Sequence, residues 1–297
     1  MQRSTLYQRK APALLPLYAR VLLPKSSSTK GDDHSIPGLS AELTGAQTEI
    51  ADLDRYRQLC GFPNRTAIPL TWPHILAFPL HLKLLTSAEF PLPLLGLVHL
   101  RNRITQHRPI GRGELLDLTV SLGNDVNTEK GLEFDLITSA HSAGKKVWEE
   151  ASTTLFRRAQ GSSQKKSGPR PTLESFPNSL ELHAPESIGR KYGRISGDLN
   201  PIHMHAVSAK AFGFPRAIAH GMWSKACCLA LLSEQPEWRD GPVTVDCQFK
   251  RPLLLPGSAT LNWQQQKDRW DFQLLDSKGT APHLTGAVTW DQEPGVS

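Results

Sequence analysis

From residue 243 to 250 the chain alternates strictly. Val243, Val245, Cys247 and Phe249 share one side, and Thr244, Asp246, Gln248 and Lys250 the other, the period of a strand with one buried face. A weaker alternation runs over 98–105, with Val98, Leu100, Asn102 and Ile104 set against His99, Arg101, Arg103 and Thr105. Each of these strands follows an apolar run suited to a buried helix, residues 73–86 in the first case and Gly221–Ser233 in the second. After them come further strand-like segments, at 116–122, 132–140 and 147–157, and again at 259–264, 270–276 and 284–291. One helix wrapped by several antiparallel strands, twice over, predicts an α+β hot-dog arrangement in two copies.

The two copies also match residue by residue. Tyr56, Cys60, Gly61 and Asn64 recur as Tyr192, Ser196, Gly197 and Asn200, and the His107-Arg108-Pro109-Ile110 run recurs as Lys250-Arg251-Pro252-Leu253. The offset grows from 136 residues at the glycines to 143 at the Arg-Pro pairs, so the second copy has the longer intervening loop. This divides the chain into an N-terminal arm (1–46), a degenerate first unit (47–158), a linker rich in Ser, Gly, Pro and Lys (159–178) and a second unit (179–297).

The longer loop carries the chemistry. Asp198 and His203 stand five residues apart. On a helix that is about 140° of rotation, and on a strand it is opposite faces, so only an irregular turn can bring them together. Asn200-Pro201 favours such a turn, and Gly197 frees the backbone just before the carboxylate. Downstream, His220-Gly221-Met222 opens the second apolar helix. The first amides of a helix lack intrahelical acceptors and carry partial positive charge. At Gly221 no side chain blocks a ligand from them, and an oxyanion held there gains about 3 kcal/mol per donor. The first copy has Phe62 in place of Asp198 and nothing in place of His203.

The pattern Tyr-x-x-x-Ser-Gly-Asp-x-Asn-Pro-x-His over residues 192–203, with the eighteen-residue step from His203 to Gly221, resembles the signature of MaoC-like dehydratases, which include the (R)-specific enoyl-CoA hydratases. The resemblance implies a double hot-dog fold and reversible hydration of a trans-2-enoyl thioester to a (3R)-hydroxyacyl thioester. Asp198 and His203 would be the catalytic pair, and Asn200 and the Gly221 amide would bind substrate. The hydroxyl residue that some relatives carry two turns into the helix is replaced near Leu229. Neither metal nor cofactor is expected, since the thioester is the activating group and His203-x-His205 lacks a third ligand at a metal spacing. The expected partner is acyl-CoA or an acyl carrier protein thioester. Arg190, Lys191, Arg194, Arg216, Lys225 and Arg251 are candidates for its phosphates, and Phe62 with residues 75–82 for its acyl tail. A non-catalytic thioester-binding protein and a hot-dog thioesterase are the rival readings.

Composition narrows this further. The net charge of +6 comes from residues 1–31, which hold six basic groups and no acid; the remainder balances at 28 against 28, so nothing argues for nucleic acid. The leader reads as an arm in a cytoplasmic protein, monomer or homodimer; as a transit segment it would imply the mitochondrial matrix. Cys60, Cys227, Cys228 and Cys247 show no zinc or disulfide spacing, and no apolar run reaches membrane-span length.

Overall fold

The computed structural model describes residues 3–21, 35–157 and 173–290. Its elements run β1 (Arg3–Gln8), α1 (Leu14–Val21), β2 (Leu39–Gln47), α2 (Asp52–Cys60), α3 (Trp72–Leu85), β3 (Leu97–Gln106), β4 (Leu115–Thr128), β5 (Gly131–Ser142) and β6 (Lys145–Arg157). The second half follows with β7 (Asn178–Ala184), α4 (Ile188–Ser196), α5 (Pro201–Met204), α6 (Ala206–Ala211), α7 (Gly221–Ser233), β8 (Val243–Phe249), β9 (Gly257–Gln265), β10 (Arg269–Asp276) and β11 (Pro282–Trp290). The architecture is α+β, a double hot-dog.

All of these strands belong to one sheet, ordered β1-β2-β4-β5-β6-β3-β8-β11-β10-β9-β7. Read outward from the β3–β8 seam, the order β3-β6-β5-β4-β2 repeats as β8-β11-β10-β9-β7. The seam is antiparallel, Arg103 lying opposite Asp246, with a salt bridge between them at 3.2 Å. The helices obey the same pseudo-two-fold: α2 packs on α7 and α3 on α4, each contact crossing between units. Tyr56 and its counterpart Tyr192 face each other with ring centroids 6.1 Å apart. Both α2 and α4 end on a left-handed glycine, Gly61 at φ 83° and Gly197 at φ 80°, so each copy turns sharply at the same place.

The predicted helices and outer strands are found within a few residues. Three strands, β1, β2 and β7, leave no clear mark in the sequence. β2 falls mostly inside the expected arm; it pairs with β4 and buries Leu39, Ala41, Leu43 and Ala46, so the first unit begins before residue 47. A register break between Leu43 and Ala46 interrupts its alternation. β7 is an edge strand with little buried surface, and edge pairing leaves almost no hydrophobic signature. The arm itself is structured: β1 runs parallel to β2, and α1 packs on α3. Residues 159–172 of the expected linker lie outside the described residues. All four cysteines are buried and unbridged. Among the described residues no helix is long and apolar enough to cross a membrane.

Candidate active site

The turn from Gly197 to His203 is shaped by short-range hydrogen bonds that its sequence encodes. The Asp198 amide donates to Ser196 Oγ (3.2 Å) and the Asn200 amide to Asp198 Oδ1 (3.2 Å). Asn200 then caps α5, its side-chain oxygen accepting from the Ile202 amide (3.4 Å), while Pro201 takes the first helical position. Asn200 thus supports Asp198 through its backbone and the helix start through its side chain.

α4 lies unusually close beneath this turn. A Cβ on Gly189 would fall 1.9 Å from the His203 carbonyl oxygen, and one on Gly193 2.7 Å from the Asp198 carbonyl oxygen. The two glycines are one helical turn apart, so they form one bare strip on which the turn rests. From the far side Tyr18 of α1 clamps it. The Tyr18 hydroxyl donates to the Gly197 carbonyl (2.7 Å) and accepts from the Leu199 amide (2.7 Å), bracketing Asp198.

These contacts bring together what the sequence separates. Ligand atoms of Asp198, His203 and His220 all lie within 4.8 Å of one another. His203 is buried, and its Nδ1–H donates to the Ile218 carbonyl at 2.8 Å, which leaves Nε2 for chemistry. His220 stacks on it with centroids 3.7 Å apart and donates from Nε2 to the Asp198 carbonyl at 3.0 Å. The sequence marks His220 only as part of a helix start; its role as a brace between that start and the turn depends on tertiary contacts. The Asp198 carboxylate keeps 31% side-chain exposure, so solvent-borne molecules reach the acid while the imidazoles sit behind it. Gly221, the first residue of α7, follows directly. The Phe249 ring occupies the space beside it, and a Cβ on Gly221 would fall 3.0 Å from that ring.

The electrostatics favour an ionised acid beside a neutral base. Burial pushes the Asp198 carboxyl up, but the His220 and His203 imidazoles and the Asn200 amide outweigh it and hold it below its ordinary value. Burial drives His203 down despite the opposing pull of Asp198. Burial, with His203 alongside, takes His220 down to about 3.

Other candidates divide. Lys225 does not face a carrier phosphate: it is fully buried, with Nζ donating to Asn102 O (3.2 Å), Asn102 Oδ1 (2.5 Å) and Val245 O (3.3 Å). An apolar helix can carry a lysine only where such acceptors meet it. Arg190 is half-buried on the Met204 carbonyl, while Lys191, Arg194, Arg216 and Arg251 are exposed. Phe62 stacks on Tyr56 at 6.2 Å and lines a separate cavity of about 80 Å³ with Arg57, Leu229 and Trp238. Within residues 75–82, Ile75, Ala77, Leu80 and Leu82 are core, and Phe78 reaches the turn, 3.2 Å from where a Gly197 Cβ would stand.

The buried imidazoles make stability depend on pH. His81 is held near 3 and His99 near 4, in both cases chiefly by burial and then by His74. Unfolded, each histidine titrates near 6.5. Below that pH the unfolded chain binds protons that the folded chain refuses, so stability falls as pH drops from 6.5 toward 4 and 3. With His203 and His220 this makes four such groups, each worth up to about 1.4 kcal/mol per pH unit in that window. Urea unfolding should therefore show a marked loss of stability between pH 7 and pH 5, and a flat profile would contradict the burial of these rings.

A protein-family model, the MaoC like domain, matches residues 159–278, which take in the linker and most of the second unit. Over 254 residues the chain is 31% identical to 3-hydroxyacyl-thioester dehydratase X of Mycobacterium tuberculosis, covering 85% of this chain and 90% of that protein. The chain belongs to the MaoC-like dehydratase family. A crystal structure of HtdX from Mycobacterium tuberculosis superposes with a TM-score of 0.72 at 30% identity, covering 84% of this chain and 98% of the other. A MaoC-like dehydratase from Phytophthora capsici shares the fold at 18% identity, with a TM-score of 0.71 over 90% of this chain and all of that one. As a MaoC-like dehydratase, the protein is a hydro-lyase of the thioester dehydratase type.

Proposed function

We propose that this protein interconverts trans-2-enoyl-CoA and (3R)-hydroxyacyl-CoA, with Asp198 and His203 as the acid–base pair. The observation that carries this is the convergence of a solvent-reachable carboxylate and a buried imidazole, its Nδ1 tied to the Ile218 carbonyl, at the start of α7. In the hydration direction the pair activates water for addition at the β-carbon and delivers a proton to the α-carbon. The Gly221 amide and the positive end of α7 hold the thioester oxygen as enolate character develops. His220 keeps the turn against the helix start. The carrier enters as the coenzyme A or acyl carrier protein thioester, and Arg194, Arg216 and Arg251 are exposed near enough in sequence to meet its phosphates. The four unbridged thiols suit a reducing compartment such as the cytoplasm.

The test is the loss of enoyl-thioester ultraviolet absorbance when the purified protein meets crotonyl-CoA and trans-2-octenoyl-CoA, followed by chiral analysis of the 3-hydroxyacyl product. Hydration to the (3R) product is expected. Release of free thiol from a saturated acyl-CoA without hydration would instead make the protein a thioesterase.

A further inference from the structure

The first unit has no counterpart of Asp198 or His203, but it buries a polar group of its own beside their site. His74, at the start of α3, donates from Nδ1 to Glu150 Oε2 at 2.9 Å. Glu150 lies on β6 and is 2% exposed. Burial pushes its carboxyl up, yet His74, His81 and the Asn102 amide hold it down to about 2, so it is a carboxylate that can only accept. Its other oxygen takes a hydrogen bond from Asn102 Nδ2 (2.6 Å), and Asn102 Oδ1 is in turn fixed by Lys225 Nζ. The His74 ring is thereby locked, with Nε2 left outside the contact to Glu150.

His99 belongs to the same group. A bulge between His99 and Arg101 leaves Leu100 without a partner on β6 and breaks the alternation that would have set His99 on the face opposite Asn102. Its ring lies 4.7 Å from that of Phe249, and its Nε2 is buried with no hydrogen-bond partner.

Each imidazole is linked to the Asp198–Gly221 centre through one phenylalanine ring. His74 precedes Phe78 by one turn on the same face of α3, and Phe78 abuts Gly197, next to Asp198. Phe249 is the ring packed on Gly221. An acyl chain directed from Asp198 and Gly221 toward Phe78 and Phe249 would meet His74 and His99 beside those rings. A plain alkyl chain there would leave the His99 nitrogen buried and unpaired, which is costly.

Resting on the hydratase reading above, we propose that His74 and His99 form an acyl-recognition subsite for chains bearing a hydroxyl group beyond the reacting double bond. A hydroxyl both donates and accepts, so it suits either tautomer of the two rings. A site built to hydrogen-bond a substrate hydroxyl discriminates strongly against the analogue that lacks it.

The test compares kcat/KM for trans-2-octenoyl-CoA with that for four analogues carrying one hydroxyl at C5, C6, C7 or C8. At least one hydroxylated chain should exceed octenoyl by about tenfold or more. In His99→Phe and His74→Phe that ratio should fall toward one, and His99→Asn, which keeps a hydrogen-bonding group, should restore part of it. Because the ratio is read first in the native protein, variants that fail to fold do not decide the matter. Octenoyl turned over as well as all four analogues by the native protein would overturn the subsite while leaving the hydratase reading intact. So would a preference that survives in both phenylalanine variants. Absence of hydration of every ester, crotonyl-CoA included, would overturn the parent reading and the subsite with it.

Discussion

Asp198→Asn is expected to lower kcat for enoyl-thioester hydration by roughly 10²- to 10⁴-fold while leaving the protein folded. The replacement keeps the shape of the side chain and an oxygen for the Asn200 amide, so the turn that positions it loses little. What it removes is the charge and the capacity to move a proton. The surroundings have arranged that charge: two imidazoles and a backbone amide overcome burial to keep the carboxyl ionised, and 31% exposure leaves it open to a substrate. His203 is a less clean target. Its Nδ1 ties the turn to the Ile218 carbonyl, so its removal mixes loss of chemistry with loss of structure. The measurement is single-substrate kinetics on crotonyl-CoA together with a thermal melt. An Asn variant that keeps more than about a tenth of the native kcat would remove Asp198 from the acid–base role.

The parts of this site legible in the sequence are those that depend on neighbouring residues. Gly197, Asp198, Asn200 and Pro201 specify their turn through local dihedral preferences and short-range hydrogen bonds, and Gly221 marks a helix start. The strict alternation over 243–249 likewise gives β8 away. Residues whose meaning comes from distant partners are not legible. Lys225 reads as a surface cation because its spacing on an apolar helix says nothing of the acceptors that β3 and β8 bring to it. Tyr18, 181 residues from the Leu199 amide it receives, carries no local sign of its task. Alternation alone sets His99 on the wrong face, because it assumes an unbroken pleat and a single bulged residue reverses it.

Gly189→Ala tests whether close packing beneath the turn positions the proposed acid–base pair. In most helices glycine to alanine adds about 0.5–1 kcal/mol of stability, because alanine loses less backbone entropy on folding. Here the sign should reverse. The new methyl would fall 1.9 Å from the His203 carbonyl oxygen and 3.4 Å from Leu255 Cδ1, and the first of these contacts is with backbone that no rotamer change can relieve. Either α4 or the segment carrying Asp198 and His203 must move by about an ångström, and a displacement of that size at a reacting centre costs on the order of 10²-fold in rate. Overpacking at a buried site adds roughly 1–3 kcal/mol of destabilisation. Gly38→Ala is the matched control, since a Cβ there meets nothing within 4 Å and no positive φ stands in its way. Kinetics and thermal melts on both variants should therefore diverge, with Gly38→Ala close to native and Gly189→Ala both less stable and nearly inactive. Equal behaviour of the two would mean that the turn tolerates displacement, and that the bare strip on α4 does not fix the geometry of Asp198 and His203.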